Sequence, residues 1–124
     1  MSVSFDGVGQ VCATFLGTKI AEGHVVKLTA SGTVGECSSG DAFCGVALCS
    51  KDDACSVQVC GFVTVSYSGD APAVGWTALT ADGEGGVKTV PAASGQDSTA
   101  AAAAGLKLPV VDVDTTAKTV TVLL

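Results

Sequence analysis

Short runs of alternating apolar and polar residues follow one another along most of the chain. Turn signals rich in Gly, Asp, Pro and Ser separate them at intervals of roughly ten residues, a spacing typical of sandwiches and barrels. The runs that predict strands are HVVKLTA, FCGVALCS, CSVQVCGFVTVSY, WTALTA, VKTV, LPVVDVD and KTVTVLL. The pattern therefore predicts an all-β fold, a small single-domain β-barrel or β-clip-like structure. At most one short helix is expected, near residues 98–104, where alanines follow a possible cap.

Three polar segments have the composition of tight turns. They are SKDD at residues 50–53, DGEGG at 82–86 and TTAK at 115–118. Gly and Asp accept the backbone angles that hairpin turns require, so each segment predicts a hairpin. DGEGG leads into a strand rather than a helix, and it therefore lacks the helix amino end that binds phosphate.

Four of the six cysteines lie in FCGVALCSKDDACSVQVCGF, residues 43–62. With the turn at SKDD, antiparallel pairing places Cys49 opposite Cys55 and Cys44 opposite Cys60, on opposite faces of the hairpin. Such pairs cannot form one four-thiolate metal site, and the spacing lacks the Cys-x2-Cys pairs of zinc ribbons. We interpret these cysteines as free thiols that pack as small apolar groups. The even count leaves a disulfide framework as the alternative.

Charge is sparse and acidic, with twelve acids, six lysines and no arginine. This balance argues against a nucleic acid partner, because phosphate binding requires clustered basic residues. The first residues, MSVSFDGVGQVCATFLG, have no Lys or Arg before Lys19, and their apolar stretch is broken by Ser, Asp and Gly. They resemble neither a secretory signal nor a membrane span. We expect a protein that stays in the cytosol where it is made, with reduced thiols.

Residues that could carry catalysis do not form a convincing set. Asp52 and Asp53 lie in a turn, whereas Asp112 and Asp114 share one face of a strand. A thiol nucleophile needs an activating imidazole, and His24, the only histidine, lies beside two valines as a strand-edge residue does. We therefore expect no enzyme, no metal and no cofactor. Trp76 is interpreted as a core or interface anchor.

The order of several short motifs resembles that of head decoration proteins, or capsid cement proteins, of tailed bacteriophages. These motifs are EGHVVKL, GVAL after a Gly and Asp loop, VQVCGFVTV with its Gly-aromatic pair, VGWTALTADGEGGVK and the closing KTVTVLL. They cover most of residues 17–124. The six cysteines depart from the family's pattern.

The resemblance implies a structural virion protein, made in the bacterial host cytoplasm, that binds the outer capsid surface and stabilises it. Its partners would be the major capsid protein and its own copies, as a homotrimer, without nucleic acid or membrane. A flexible N-terminal arm, residues 1–16, would precede a single β domain, residues 17–124, and add a strand to the capsid. The candidates for a subunit interface are Val46, Leu48 and Phe62, and those for capsid docking are Phe5 and Phe15.

A small β module that binds a ligand such as a sugar, or that carries a modified lysine, is the alternative function. Lys51 is placed on a tight hairpin, as the modified lysine of lipoyl and biotinyl domains is. The apolar residue that usually follows that lysine is missing here.

Overall fold

Ten β-strands form the described part of the protein, which in the computed structural model comprises residues 9–90 and 106–124. No helix occurs within these residues. The predicted short helix near residues 98–104 lies outside them. The strands are β1 (Val11–Leu16), β2 (Val25–Ala30), β3 (Thr33–Glu36), β4 (Gly45–Lys51), β5 (Ala54–Cys60), β6 (Phe62–Ser66), β7 (Gly75–Ala81), β8 (Val87–Thr89), β9 (Leu106–Asp114) and β10 (Thr119–Leu123).

The strands divide into two sheets, which confirms the prediction of a small all-β protein. The first is a closed barrel with the order β1-β3-β2-β4-β5. The second is a five-stranded sheet with the order β6-β10-β9-β7-β8. The chain completes the barrel before it enters the second sheet, and the two sheets share no strand.

The barrel is closed unevenly. Strand β1 pairs with β5 along its whole length but meets β3 at a single parallel pair, Leu16 opposite Thr33. Because β1 belongs to the barrel, the predicted N-terminal arm of residues 1–16 is too long, and the domain includes Val11–Leu16. The barrel interior is filled mostly by small side chains. Its members are Ile20, Val26, Val34, Ala47, Cys55 and Val57, with Phe15, Cys44 and Val59 packed against them.

The second sheet curls around a larger core. A parallel bridge between Tyr67 and Val87 brings its two edges together beyond β6 and β8. Val25 and Val46, paired on neighbouring barrel strands, point outward from the barrel into this core. Its other members are Cys37, Phe43, Val63, Val65, Tyr67, Leu79, Ala81, Val87, Leu108, Val110, Val120 and Val122.

Gly61 joins the barrel to the second sheet between β5 and β6. Its φ of 99° lies in the region that favours glycine, and an added Cβ would come within 2.9 Å of the Gly9 oxygen. The buried Gln58 side chain donates hydrogen bonds to the carbonyl oxygens of Cys60 and Phe62 at 3.2 and 2.8 Å, and accepts one from Gln10 at 2.8 Å. A polar residue thus fixes the junction, with its side-chain groups paired.

The cysteine-rich hairpin forms, but its register changes along its length. Near the turn, Cys49 lies opposite Ser56 and Ser50 lies opposite Cys55. On the side of Leu48 away from the turn, Val46 lies opposite Gln58, which is the register that the sequence predicts. The irregularity between Ala47 and Cys49 causes this shift, because an extra residue on one strand moves every later partner by one. The predicted opposition of Cys49 and Cys55 is therefore wrong, and Cys44 lies just before β4.

Candidate interaction surface

The six predicted contact residues fall in different environments. Val46 is 2% exposed and packs in the core beneath the second sheet, so this side chain is not available to a partner. The reason is that the second sheet covers this face of the hairpin, a contact that hairpin alternation alone does not reveal. Phe5 lies outside the described residues. Phe15 is half-buried against the barrel core, and Leu48 is half-buried at the register shift in β4.

Phe62 and Trp76 lie on one face of the second sheet, the face that points away from its core. Leu123 is opposite Phe62, and Trp76 is opposite Pro109. Val122 lies opposite Val110, so the next pair along this ladder places Leu123 beside Pro109. Four apolar residues on four adjacent strands therefore form a continuous line, which we call the apolar row: Phe62, Leu123, Pro109 and Trp76.

Exposure increases toward one end of the apolar row. Phe62, Leu123 and Pro109 are half-buried, whereas Trp76 is 70% exposed. Val74, two residues before Trp76, is 69% exposed. A large aromatic side chain with this exposure on a rigid strand is a typical anchor for a protein contact. The sequence did not indicate Pro109 and Leu123, because only the register of β9 and β10 aligns them with Trp76.

A second group of exposed apolar side chains lies on the barrel. Val11 and Leu16 on β1 are 52% and 58% exposed, and Leu28 on β2 is 58% exposed. Among the described residues, β1 has no strand partner on its β3 side before Leu16. The barrel therefore presents apolar side chains beside an open strand edge, which is a suitable site for an added strand.

The six cysteines all lie between residues 12 and 60, and all are free thiols. Cys12, Cys49 and Cys60 are exposed, Cys37 and Cys55 are buried, and Cys44 is intermediate. Burial raises the pKa of Cys37 to about 11 and also raises the pKa of Cys44 and of Cys55. These three thiols are protonated at neutral pH, so they act as packing groups and not as nucleophiles.

Charged side chains serve local structure. His24 Nδ1 donates to Glu36 Oε1 at 2.7 Å, so the imidazole is engaged by a carboxylate rather than by a thiol. Asp114 accepts hydrogen bonds from two amides of the turn that follows β9, at 2.9 and 3.0 Å. Asp82 similarly accepts from the amides of Glu84 and Gly86 in the β7–β8 loop. Within the described residues, no three His, Cys, Asp or Glu side chains come together as metal ligands do.

Lys27 and Asp41 form an ion pair between β2 and the loop that precedes β4. Lys27 Nζ donates to Asp41 Oδ2 at 2.5 Å, and the Ser38 amide donates to the same oxygen at 2.9 Å. The hydrogen bond with Lys27 lowers the pKa of Asp41, and the same bond raises the pKa of Lys27. This pair holds the loop against the barrel.

An open groove of about 510 Å³ lies where β1 and β3 separate. Its polar groups are the hydroxyls of Thr18, Thr29 and Thr33 and the carboxylate of Asp53. Leu16, Gly17, Val34 and Gly35 complete its lining. The groove has the chemistry to hold a small neutral polar molecule, but no charged group in it is buried.

No protein-family model matches this chain, and a search of curated proteins finds no match. Within residues 9–90 and 106–124, no helix has the length and apolar character to cross a membrane.

Proposed function

We propose that this protein is a structural virion protein that binds the outer surface of a phage capsid and stabilises it as a homo-oligomer. One observation carries the proposal: exposed large apolar side chains occur on both the barrel and the second sheet. Val11, Leu16 and Leu28 belong to the barrel, Trp76 and Leu106 belong to the second sheet, and Val74 lies just before β7. A cement protein needs two such surfaces, one for the capsid and one for its own copies.

The barrel surface is the proposed capsid side. The open edge of β1 offers backbone groups to an added strand, and Val11 and Leu16 supply apolar contacts next to it. The apolar row on the second sheet is the proposed contact between copies. Each contact is small, but repetition over a symmetric shell multiplies weak contacts into strong retention. The resemblance implies three copies in the oligomer, whereas a contact of the row with itself would join copies in pairs. The mass of the oligomer in solution distinguishes the two arrangements.

Co-sedimentation with empty phage heads tests this function. We expect the purified protein to pellet with the heads and Leu16→Ser to reduce the bound fraction, because Leu16 is on the proposed capsid side. Val74→Ser is the matched control, since Val74 is an exposed apolar residue just before β7, and this variant should bind heads as the wild type does. A protein that never sediments with heads would refute the capsid role.

The groove between β1 and β3 favours a second candidate function, a small ligand-binding module. Its three threonine hydroxyls and Asp53 suit a sugar more than an apolar ligand. Lys51 is exposed on the adjacent hairpin, as a carrier lysine must be. Intact mass spectrometry of protein from its native host would detect a group added to Lys51, and glycan-array binding lost in Thr33→Val would support the groove.

A further inference from the structure

We infer that the face of the second sheet that carries the apolar row binds the same face of a second copy of this chain, about a twofold axis. This inference holds whether or not a capsid is the protein's partner. It rests on the position of charges on either side of the apolar row.

Strand β9 crosses the apolar row at Pro109 and carries opposite charges on its two sides. Lys107, opposite Ala78, lies on the same face two residues before Pro109. Asp112, opposite Thr121, lies on that face three residues after it. At about 3.3 Å per residue these charges are about 7 Å and at most about 10 Å from the row. Both side chains are exposed, and neither has a salt bridge among the described residues.

Each end of this arrangement is extended by a neighbouring charge. Asp114 continues the acidic side along β9, opposite Thr119. Lys88 on β8, opposite Thr80, lies farther out on the basic side, where it is half-buried and its ammonium donates to Ser39 Oγ at 2.7 Å. The face is thus divided into a basic strip, an apolar row and an acidic strip.

This order makes the face complementary to itself. A twofold axis that lies between the two facing sheets and runs parallel to the apolar row places the row of one copy on the row of the second copy. The strands of the two copies then run in opposite directions. Lys107 of one copy then lies opposite Asp112 of the second copy, and the reciprocal pair forms on the other side. Such an isologous contact forms each interaction twice, which is the usual arrangement in dimers.

The size of the face sets the strength of the association. Five strands about 4.8 Å apart and about six residues long cover roughly 20 Å by 20 Å. This is about half of the roughly 800 Å² per partner that a stable interface buries. We therefore expect a weak dimer with a Kd of roughly 10 µM to 1 mM, anchored by Trp76.

Sedimentation velocity and light scattering from about 1 µM to 1 mM protein test the inference, with Trp76 as the reporter. Trp76 is the single tryptophan of the chain, so its emission should shift to shorter wavelengths, and its quenching by acrylamide should fall, as two copies associate. We expect Trp76→Ser to abolish dimers. Lys107→Glu and Asp112→Lys should each weaken association at least about fivefold, and the double variant should restore it.

Lys51→Glu is the matched control, because Lys51 is exposed on the barrel hairpin and its reversal should leave association unchanged. Weakening by both single variants would exclude a general effect of net charge, because Lys107→Glu makes the chain more negative and Asp112→Lys makes it less negative. Restoration by the double variant would then establish that the two strips face each other. A monomer at every concentration, or a trimer insensitive to both charge reversals, would refute the inference. A monomer whose Trp76 is protected from acrylamide would instead show that another segment of the same chain covers the row.

Discussion

The barrel and the second sheet achieve stability in different ways. The barrel is closed by hydrogen bonds, but its core is the smaller of the two, and β1 meets β3 at one pair. The second sheet is joined at its edges by one bridge, but it encloses the larger core and takes two valines from the barrel wall. Closure of a sheet and filling of a core are therefore separate sources of stability. The barrel is the more completely closed unit, and the second sheet encloses the larger core.

The distribution of cysteine follows the same division. All six thiols belong to the barrel half of the chain, and the second sheet has none. In the barrel core, Cys55 is fully buried in a cluster with Val26, Ala47 and Val57, where a larger side chain would overpack the interior. The larger second core contains Leu79, Leu108 and Tyr67 together with one thiol, Cys37.

The largest expected effect comes from emptying the second core. Leu79 is fully buried, and Leu79→Ala should lower the free energy of unfolding by about 2–5 kcal/mol, because it removes apolar contacts and leaves a cavity. Leu106 is the cross-strand partner of Leu79 and is 38% exposed, so Leu106→Ala is a matched control with an expected loss below about 1 kcal/mol. Urea denaturation measures both. Equal losses would contradict the assignment of this core.

The junction between the two units is the next target. Gln58→Leu keeps the side-chain volume but leaves the carbonyl oxygen of Phe62 without its side-chain donor. We expect a loss of about 1–3 kcal/mol in urea denaturation, since the hydrogen bonds of Gln58 with Gln10, Cys60 and Phe62 are removed together. If the barrel and the second sheet unfold in separate steps in this variant, Gln58 couples the unfolding of the two units in the wild type. An unchanged midpoint would show that the junction does not depend on this side chain.

Thiol reactivity separates the exposed cysteines from the buried ones. With a maleimide at pH 7, we expect Cys12, Cys49 and Cys60 to be labelled first, because they are exposed. Cys37 should react much more slowly: it is buried, and a pKa near 11 in place of 9.0 lowers its thiolate fraction about a hundredfold. Peptide mass spectrometry identifies the labelled sites. Labelling in urea is the control, in which all six should react.

The smallest effect should come from the ion pair that holds the loop on β2. The pKa of Asp41 is lowered in the folded state, so its contribution is present above the ordinary value of 3.8 and is lost as the pH falls through the folded value. The pKa of Lys27 is raised, so its contribution is present below 10.5 and is lost as the pH rises through the folded value. The stability difference between wild type and Asp41→Asn should be constant between these limits and shrink beyond both. A stability difference that persists at pH 2 would show that the amide introduced at position 41 disturbs the loop by an effect other than loss of the ion pair.

The sequence predicted most of the strands after residue 24 and the three turns, because alternation and turn chemistry are local properties. It missed β3, and it gave residues 55–67 as one run where the structure has β5 and β6 in different sheets. It did not predict the partners of β1, since nothing in residues 11–16 indicates that they complete the chain's own barrel. The register shift at Leu48 was also missed, and with it the environments of Cys49 and Cys55. The burial of Val46 depends on the second sheet, a contact that a hairpin considered alone does not contain.

The candidate surface shows the same limit. Trp76 and Phe62 were identified as single apolar residues, but their alignment required the order of four strands. Lys107 and Asp112 seemed ordinary surface charges until β9 was placed between β7 and β10. Patterns within a strand can be predicted from the chain, whereas patterns across strands require the topology.

The position of β10 has a consequence for how the protein is made. This strand lies between β6 and β9, and its residue Leu123 pairs with Phe62. After β6, the ribosome must therefore synthesise β7, β8 and β9 before it supplies β10, the strand that pairs with β6 at Val63 and Val65. The barrel strands, by contrast, are complete at Cys60 and can close early. We expect the nascent chain to carry a folded barrel followed by an unpaired apolar strand, the stage at which chaperone binding is most useful.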